Sequence, residues 1–217
     1  DLASNWTQVA KLTDAGAADN YFGRSVSIDG DTMVVGAHAN TNDDGPHSGS
    51  VYVFTRDTAG NLASGWTQVA KLTADDGAED DWFGRSVSID GDTMVIGATQ
   101  DDDKGDKSGS AYVFMRATAG DLTSGWTQVA KLTAGDGAAN DEFGSSVSID
   151  GDAVVIGAVQ LQTSSGSAYV FTLACPDGYR GARCETAMPC VASTNSSKDG
   201  GDGDFHCVNG GTIGGTT

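Results

Sequence analysis

The chain has 217 residues, 38% of them hydrophobic, with 31 glycines and 3 prolines, which is the composition of a globular, turn-rich protein rather than a disordered one. Lysine and arginine number 12 against 30 acidic residues, and the resulting net charge of −18 repels nucleic acid and anionic membrane surfaces. No apolar run approaches the roughly 18 residues of a membrane span, and no charged-then-apolar leader follows Asp1, so the chain reads as mature or as a fragment.

Three long strings recur. "FGRSVSIDGDTMVVGA" runs from Phe22 to Ala37, "FGRSVSIDGDTMVIGA" from Phe83 to Ala98 and "FGSSVSIDGDAVVIGA" from Phe143 to Ala158. Each is preceded by "WTQVAKLT", at Trp6, Trp66 and Trp126, and followed by a "YVF" that closes at Phe54, Phe114 and Phe171. A period of about sixty residues marks a repeat architecture, with the variable loop after each "GA" as its place for insertions.

Within one unit the first element is "WTQVAKLT", a polar strand suited to an outer edge. Strict alternation places Trp66, Gln68, Ala70 and Leu72 on one side and Thr67, Val69 and Lys71 on the other. "FGRSVSI" follows, with Phe22, Arg24, Val26 and Ile28 on a bulky face and Gly23, Ser25 and Ser27 on a small one. "DGD" at Asp29 to Asp31 signals a two-residue hairpin in which Gly30 supplies the positive φ. "TMVVGA" is a continuous apolar run that suits a strand covered on both faces. After the variable loop, "GSVYVF" is rich in β-branched and aromatic residues. The fold class is therefore all-β, with four antiparallel strands per unit forming a propeller blade, and with the bulky side of one blade packed on the small side of its neighbour.

The first "WTQVAKLT", Trp6 to Thr13, is expected to be the outer strand of a blade whose first three strands are missing. Joining it to the third unit would close a ring of three blades, fewer than the usual four to eight. Further units upstream, or association of copies, are expected instead.

The "FG", the "VVGA" or "VIGA" and the "GS(V/A)YVF" together resemble the FG-GAP repeat of integrin α-like β-propellers, over residues 1 to 172. Propellers of that kind carry a DxDxDG calcium loop between the "FG" and "GAP" strands. Here Ile28-Asp29-Gly30-Asp31-Thr32 leaves room only for a hairpin, and calcium is not carried over to that position. Calcium, the one cofactor considered, has candidate oxygen ligands elsewhere: Asn40, Asn42 and Asp44 in "NTNDDG", and Asp101, Asp103 and Asp106 in "DDDKGD". Their twelfth positions are Val51 and Tyr112 rather than Glu, and the third copy has "VQLQTSS", so solvated acidic loops are the preferred reading. An acid or amide at Asp19, Asp80 and Asn140 precedes each "FG" and reads as a repeated turn.

Residues 173–217 form a second region that holds all four cysteines. "CPDGYRGARC", Cys175 to Cys184, resembles the closing loop of an EGF-like module, while Cys190 and "CVNGGT" at Cys207 resemble the opening of another. The resemblance implies a disulfide between Cys175 and Cys184, with Cys190 and Cys207 pairing either with each other or with cysteines beyond Thr217. Zinc is the alternative, and the cysteine spacings with His206 alone nearby fit it poorly. Cysteine density of this kind implies an oxidising compartment. The sequons at Asn5 and Asn195 agree with an extracellular or cell-surface address.

Nothing in the repeats assembles a catalytic constellation. His38, His47 and His206 do not recur, and Arg24 and Arg85 become Ser145 in the third copy, which favours a packing or ion-pair role. The leading expectation is a non-enzymatic structural or adhesive module of a large extracellular glycoprotein, including a fibre or appendage subunit. It would contact other proteins or copies of itself, with no nucleic-acid partner and no membrane span. A propeller that recognises protein or glycan through its variable loops ranks second, and a hydrolase third.

Overall fold

The computed structural model describes residues 6–14, 20–160 and 165–173, together with the backbone of two short strands at 179–180 and 186–187. Two compact units are present, Asp1–Asp150 with Val154–Phe171, and Gly151–Ala153 with Thr172–Thr217. The described residues are all β and irregular structure, without a helix.

In the first unit, β1 (Ser25–Asp29), β2 (Thr32–Ala37), β3 (Ser50–Arg56) and β4 (Trp66–Leu72) form one antiparallel sheet in that order. A second sheet repeats the pattern with β5 (Phe83–Asp90), β6 (Thr93–Ala98), β7 (Ser110–Arg116) and β8 (Trp126–Leu132). A third contains β9 (Phe143–Asp150), β10 (Ala153–Gln160) and β11 (Ser165–Thr172), with β10 central. These blade-like sheets are referred to as blades one to three. In the second unit, β12 (Tyr179–Arg180) pairs with β13 (Thr186–Ala187). The four cysteines of the expected EGF-like segment, Cys175, Cys184, Cys190 and Cys207, lie outside the described residues, as do Asn5 and Asn195 of the sequons.

The hairpins form where "DGD" places them. Asp29 pairs with Thr32 and Asp90 with Thr93, leaving Gly30 and Gly91 in the turns at φ 52° and 55°. The outer strands depart from strict alternation. Ala70 pairs with Val53 but Gln68 pairs with Phe54, so Val69 is an extra residue, and the same bulge recurs opposite Val113 and Phe114. Directly opposed residues share a face. Trp66 and Gln68 therefore lie on the face of Phe54, while Ala70 and Leu72 lie on the face of Val53, and the single side expected for all four is corrected. Burial agrees, since Trp66 packs with Phe54 and Leu72 with Val51 and Val53.

Trp6 to Thr13 forms no strand in the single chain, whereas the first seven residues of the same sequence are strand at Trp66 and Trp126, and Trp6 is 92% exposed. A strand needs a ladder partner, and β11 is bonded to β10 alone among the described residues.

Blades stack as bulky face on small face. Phe83, Val87, Ile89, Met94, Ile96, Tyr112 and Phe114 of blade two pack on Val34, Val51 and Val53 of blade one. Blade three repeats this with Phe143, Ile149, Val154 and Ile156 on Val95 and Ala111. Hydrogen bonds accompany the apolar contact. The amides of Val87, Ile89 and Gly91 donate to Ser25 Oγ, Ser27 Oγ and Asp29 Oδ2 at 2.9, 3.2 and 2.8 Å. Between blades two and three, Ile149 N donates to Ser88 Oγ at 3.2 Å and Ser86 Oγ to Gly144 O at 2.7 Å. The small face of "FGRSVSI" thus bonds the edge of the next blade, accepting its amides through Ser25, Ser27, Asp29 and Ser88 and donating to it from Ser86.

Candidate functional site at the loop end of the blades

The loops after β2 and β6 differ in sequence yet are anchored identically to the turn that opens the next blade. Asp80, Trp82 and Phe83 donate their amides to the carbonyls of Pro46, His47 and Ser48 at 2.9, 3.2 and 3.0 Å. Asn140, Glu142 and Phe143 do the same to Asp106, Lys107 and Ser108 at 2.8, 3.1 and 2.9 Å. Asp80 and Asn140 sit at φ 65° and 67°, a region that Asp and Asn tolerate best among residues with a side chain, which accounts for the recurrent acid or amide. Asp19 lies outside the described residues.

The densest charge cluster belongs to blade two. Lys131, at the end of β8, places Nζ 2.8 Å from Asp76, 2.9 Å from Asp101 and 2.7 Å from Asp103. Asp101 is 3% exposed and also accepts from Ser110 Oγ at 2.8 Å and Tyr112 Oη at 2.9 Å. Burial opposes the ammonium, but the carboxylates of Asp103, Asp76 and Asp101 hold Lys131 well above the usual lysine range. Burial and then the Asp101 charge push the Tyr112 phenol up. Chemically, the site is an ammonium enclosed by carboxylates, with every charge engaged.

Of the calcium candidates, Asn40, Asn42, Asp101 and Asp103 have their side chains engaged locally, and Asp44 and Asp106 take part through their backbones. Asn42 donates Nδ2 to Gly49 O at 2.6 Å and accepts from the Asp44 amide at 2.7 Å, the geometry of an Asx turn. Asn40 Oδ1 accepts from Ser50 Oγ at 3.0 Å, Asp101 and Asp103 meet Lys131, and Asp106 contributes its carbonyl to Asn140. Among the described residues no group of three or more His, Cys, Asp or Glu is arranged to hold a metal ion.

Residues 6–54, 66–114 and 126–171 each match the FG-GAP repeat. The chain belongs to the FG-GAP repeat family. No curated protein matches its sequence. Each FG-GAP match begins with "WTQ" and ends with "YVF", whereas each complete blade takes its fourth strand from the following match. Sequence repeat and blade are offset by one strand, and the offset ties neighbouring FG-GAP blades together covalently.

His38 is buried, with its ring centre 5.2 Å from that of Tyr21 and 5.3 Å from that of Trp82, and its Nδ1 has no hydrogen-bond partner among the described residues. Burial, then the charges of Arg85 and Arg24, push its pKa down to about 4. His47 Nδ1 meets Asp80 Oδ1 at 2.9 Å, and His206 lies outside the described residues. Arg85 lies 5.9 Å from the ring centre of Trp82, a packing role of the kind expected for it.

Sequence reasoning missed two features of the repeats. One is the ion pair from the first two "DGD" turns to the end of the following "YVF" strand, Asp31 with Arg56 at 2.7 Å and Asp92 with Arg116 at 2.8 Å. The other is the lysine of "WTQVAKLT". The lysine recurs in all three copies and the arginine in the first two, with Leu173 in the third, and that recurrence was the available signal.

Proposed function

We propose that the chain is a non-enzymatic structural or adhesive module of a larger extracellular or cell-surface protein, where FG-GAP blades and a cysteine-rich, EGF-like segment act as spacers and contact surfaces. FG-GAP repeats are typical of such proteins. The observation that carries the reading is the use made of the repeated residues: the serines, the turn aspartate and the bulky face serve blade-to-blade contact. What is written three times is architecture. Glycans at Asn5 and Asn195 and a Cys175–Cys184 disulfide belong to this reading.

A second reading, recognition of protein or glycan through the loops, draws on one observation. The loops after β2 and β6 have different side chains on backbones fixed by the same three hydrogen bonds, as in binding loops carried on a rigid scaffold. The test replaces Asp43, Lys104 and Asp106 by serine and compares this variant with the native chain on glycan and extracellular-protein arrays and in adhesion to cell surfaces. The scaffold reading predicts the same adhesion from both. Capture of one defined ligand by the native chain and not by the variant would replace it with the loop-binding reading.

A further inference from the structure

The stack of blades ends in two unlike faces, and each is the counterpart of the other. On β1, Val26 and Ile28 are 62% and 57% exposed, whereas Val87 and Ile89, their equivalents on β5, are each 6% exposed beneath blade one. On blade three, Val155 and Val170 are 42% and 69% exposed, whereas Val34 and Val53, at the same positions of blade one, are fully buried beneath blade two. The polar half of the contact is laid out in the same way. Ser146, Ser148 and Asp150 stand where Ser25, Ser27 and Asp29 accept the amides of Val87, Ile89 and Gly91. The equivalent amides of Val26, Ile28 and Gly30 belong to the edge strand of blade one and its turn. An interface whose apolar half occurs twice, and whose three-amide polar half is complete between blades one and two, is thus present a third time as two separated halves.

A strand is separated in the same way. β3 and β7 are each covered by a "WTQVAKL" strand from the next repeat, in the register Val53 to Ala70 and Val113 to Ala130. β11 has no such cover among the described residues, while Trp6 to Thr13 carries the same sequence without a strand.

We propose that a second copy of this chain docks head to tail on the first: blade one of the incoming copy packs on blade three of the receiving copy, and the incoming Trp6 to Thr13 adds to β11 as its fourth strand. The repeats are so alike that the bulky face of the incoming blade one carries Phe22, Met33, Val35, Tyr52 and Phe54 where blade two carries Phe83, Met94, Ile96, Tyr112 and Phe114; in the single chain Val35, Tyr52 and Phe54 are already buried, with Leu12, Phe22 and Trp66 packed against them, so docking newly covers Val26 and Ile28. The added strand takes the register Val170 to Ala10, and Ser146, Ser148 and Asp150 accept the incoming amides of Val26, Ile28 and Gly30. Such a contact is heterologous, so it closes a ring or extends a fibre according to its rotation. The edge of β11, which is bonded to β10 alone among the described residues, and the exposed apolar residues of the end faces are covered in either case. This deepens the scaffold reading, on which it rests, by naming the partner. A chain that stays monomeric overturns the docking, whereas loop-dependent ligand capture overturns the scaffold reading, so the two failures are distinct.

Sedimentation velocity of the full chain tests the docking, with disulfide-linked species identified on non-reducing gels and set aside. The native chain is expected to show reversible, concentration-dependent association. Val26→Lys with Ile28→Lys blocks one face and Val155→Lys with Val170→Lys the other, and all four residues are exposed in the single chain, so folding is retained and is checked by circular dichroism. Each variant alone is expected to be monomeric, and an equal mixture to form dimers and nothing larger. Ala10→Pro removes an amide from the added strand and is expected to weaken association about tenfold or more. A native chain monomeric up to roughly 1 mM overturns the proposal. So does association of either blocked variant alone, or a mixture that stays monomeric. Unchanged association of Ala10→Pro overturns the strand addition.

Discussion

Arg116 condenses the chemistry of the repeat into one side chain. It is 1% exposed, bonds Asp92 Oδ1 at 2.8 Å and Thr32 Oγ1 of the preceding blade at 2.9 Å, and lies 4.4 Å from the ring centre of Trp126. Truncation leaves a partly buried aspartate unpaired, so Arg116→Ala is expected to cost about 3 kcal/mol in urea unfolding. Arg56→Ala should cost less, since Arg56 keeps Asp31 and Trp66 but has no described blade before it. Two other residues set the pH dependence. His38 has a pKa of about 4 against 6.5 in the unfolded chain, so between those values the unfolded state binds the extra proton and stability falls as pH falls. Burial pushes Asp81 up to about 6 from 3.8, so between those values the folded state keeps the extra proton and stability falls as pH rises. Each effect reaches about 3 kcal/mol at roughly 1.4 kcal/mol per pH unit, and between about pH 4 and 6 they oppose. His38→Thr, the residue of the second copy, should leave stability declining from about pH 4 to 6, and Asp81→Asn should leave it rising from about pH 4 to 6.5. Urea midpoints across this range with the same slope in both variants would contradict these assignments.

At the scale of the element, blade contact depends on close backbone approach. A Cβ on Gly97 of β6 would stand 2.1 Å from Gly144 O of the next blade, and one on Gly36 of β2 equally close to Gly84 O. Both glycines are in the repeated "GA". Gly97→Ala is therefore expected to lower stability by about 3 kcal/mol through blade displacement, whereas Gly125→Ala, with nothing within 4 Å and no positive φ, should be neutral. Thermal unfolding of the pair separates the two outcomes. The strands themselves were legible in the sequence, because alternation and the glycine of "DGD" encode them locally. The bulge at Val69 was not, since nothing in "WTQVAKL" marks an extra residue and only the partner strand reveals it. Trp6 to Thr13 makes the point more sharply: one octapeptide is strand over its first seven residues twice and irregular once, because strand formation there belongs to the ladder partner. The Lys131 cluster was hidden for a related reason, as Asp76, Asp101 and Lys131 meet only after β8 is laid beside β7.

At the scale of the whole molecule, one interface is used repeatedly inside the stack, and the proposed docking uses it again between the two ends. The most direct measurement is residue-resolved amide hydrogen exchange as a function of protein concentration. The amides of Val87, Ile89 and Gly91 at the edge of blade two should exchange slowly at every concentration, because Ser25, Ser27 and Asp29 accept them from the neighbouring blade. Those of Val26, Ile28 and Gly30 should exchange fast in dilute solution and slow as the chain is concentrated and its ends dock. Equal rates at the two edges in dilute solution would contradict the stacking contact, and rates at Val26, Ile28 and Gly30 that ignore concentration would contradict the docking of the ends.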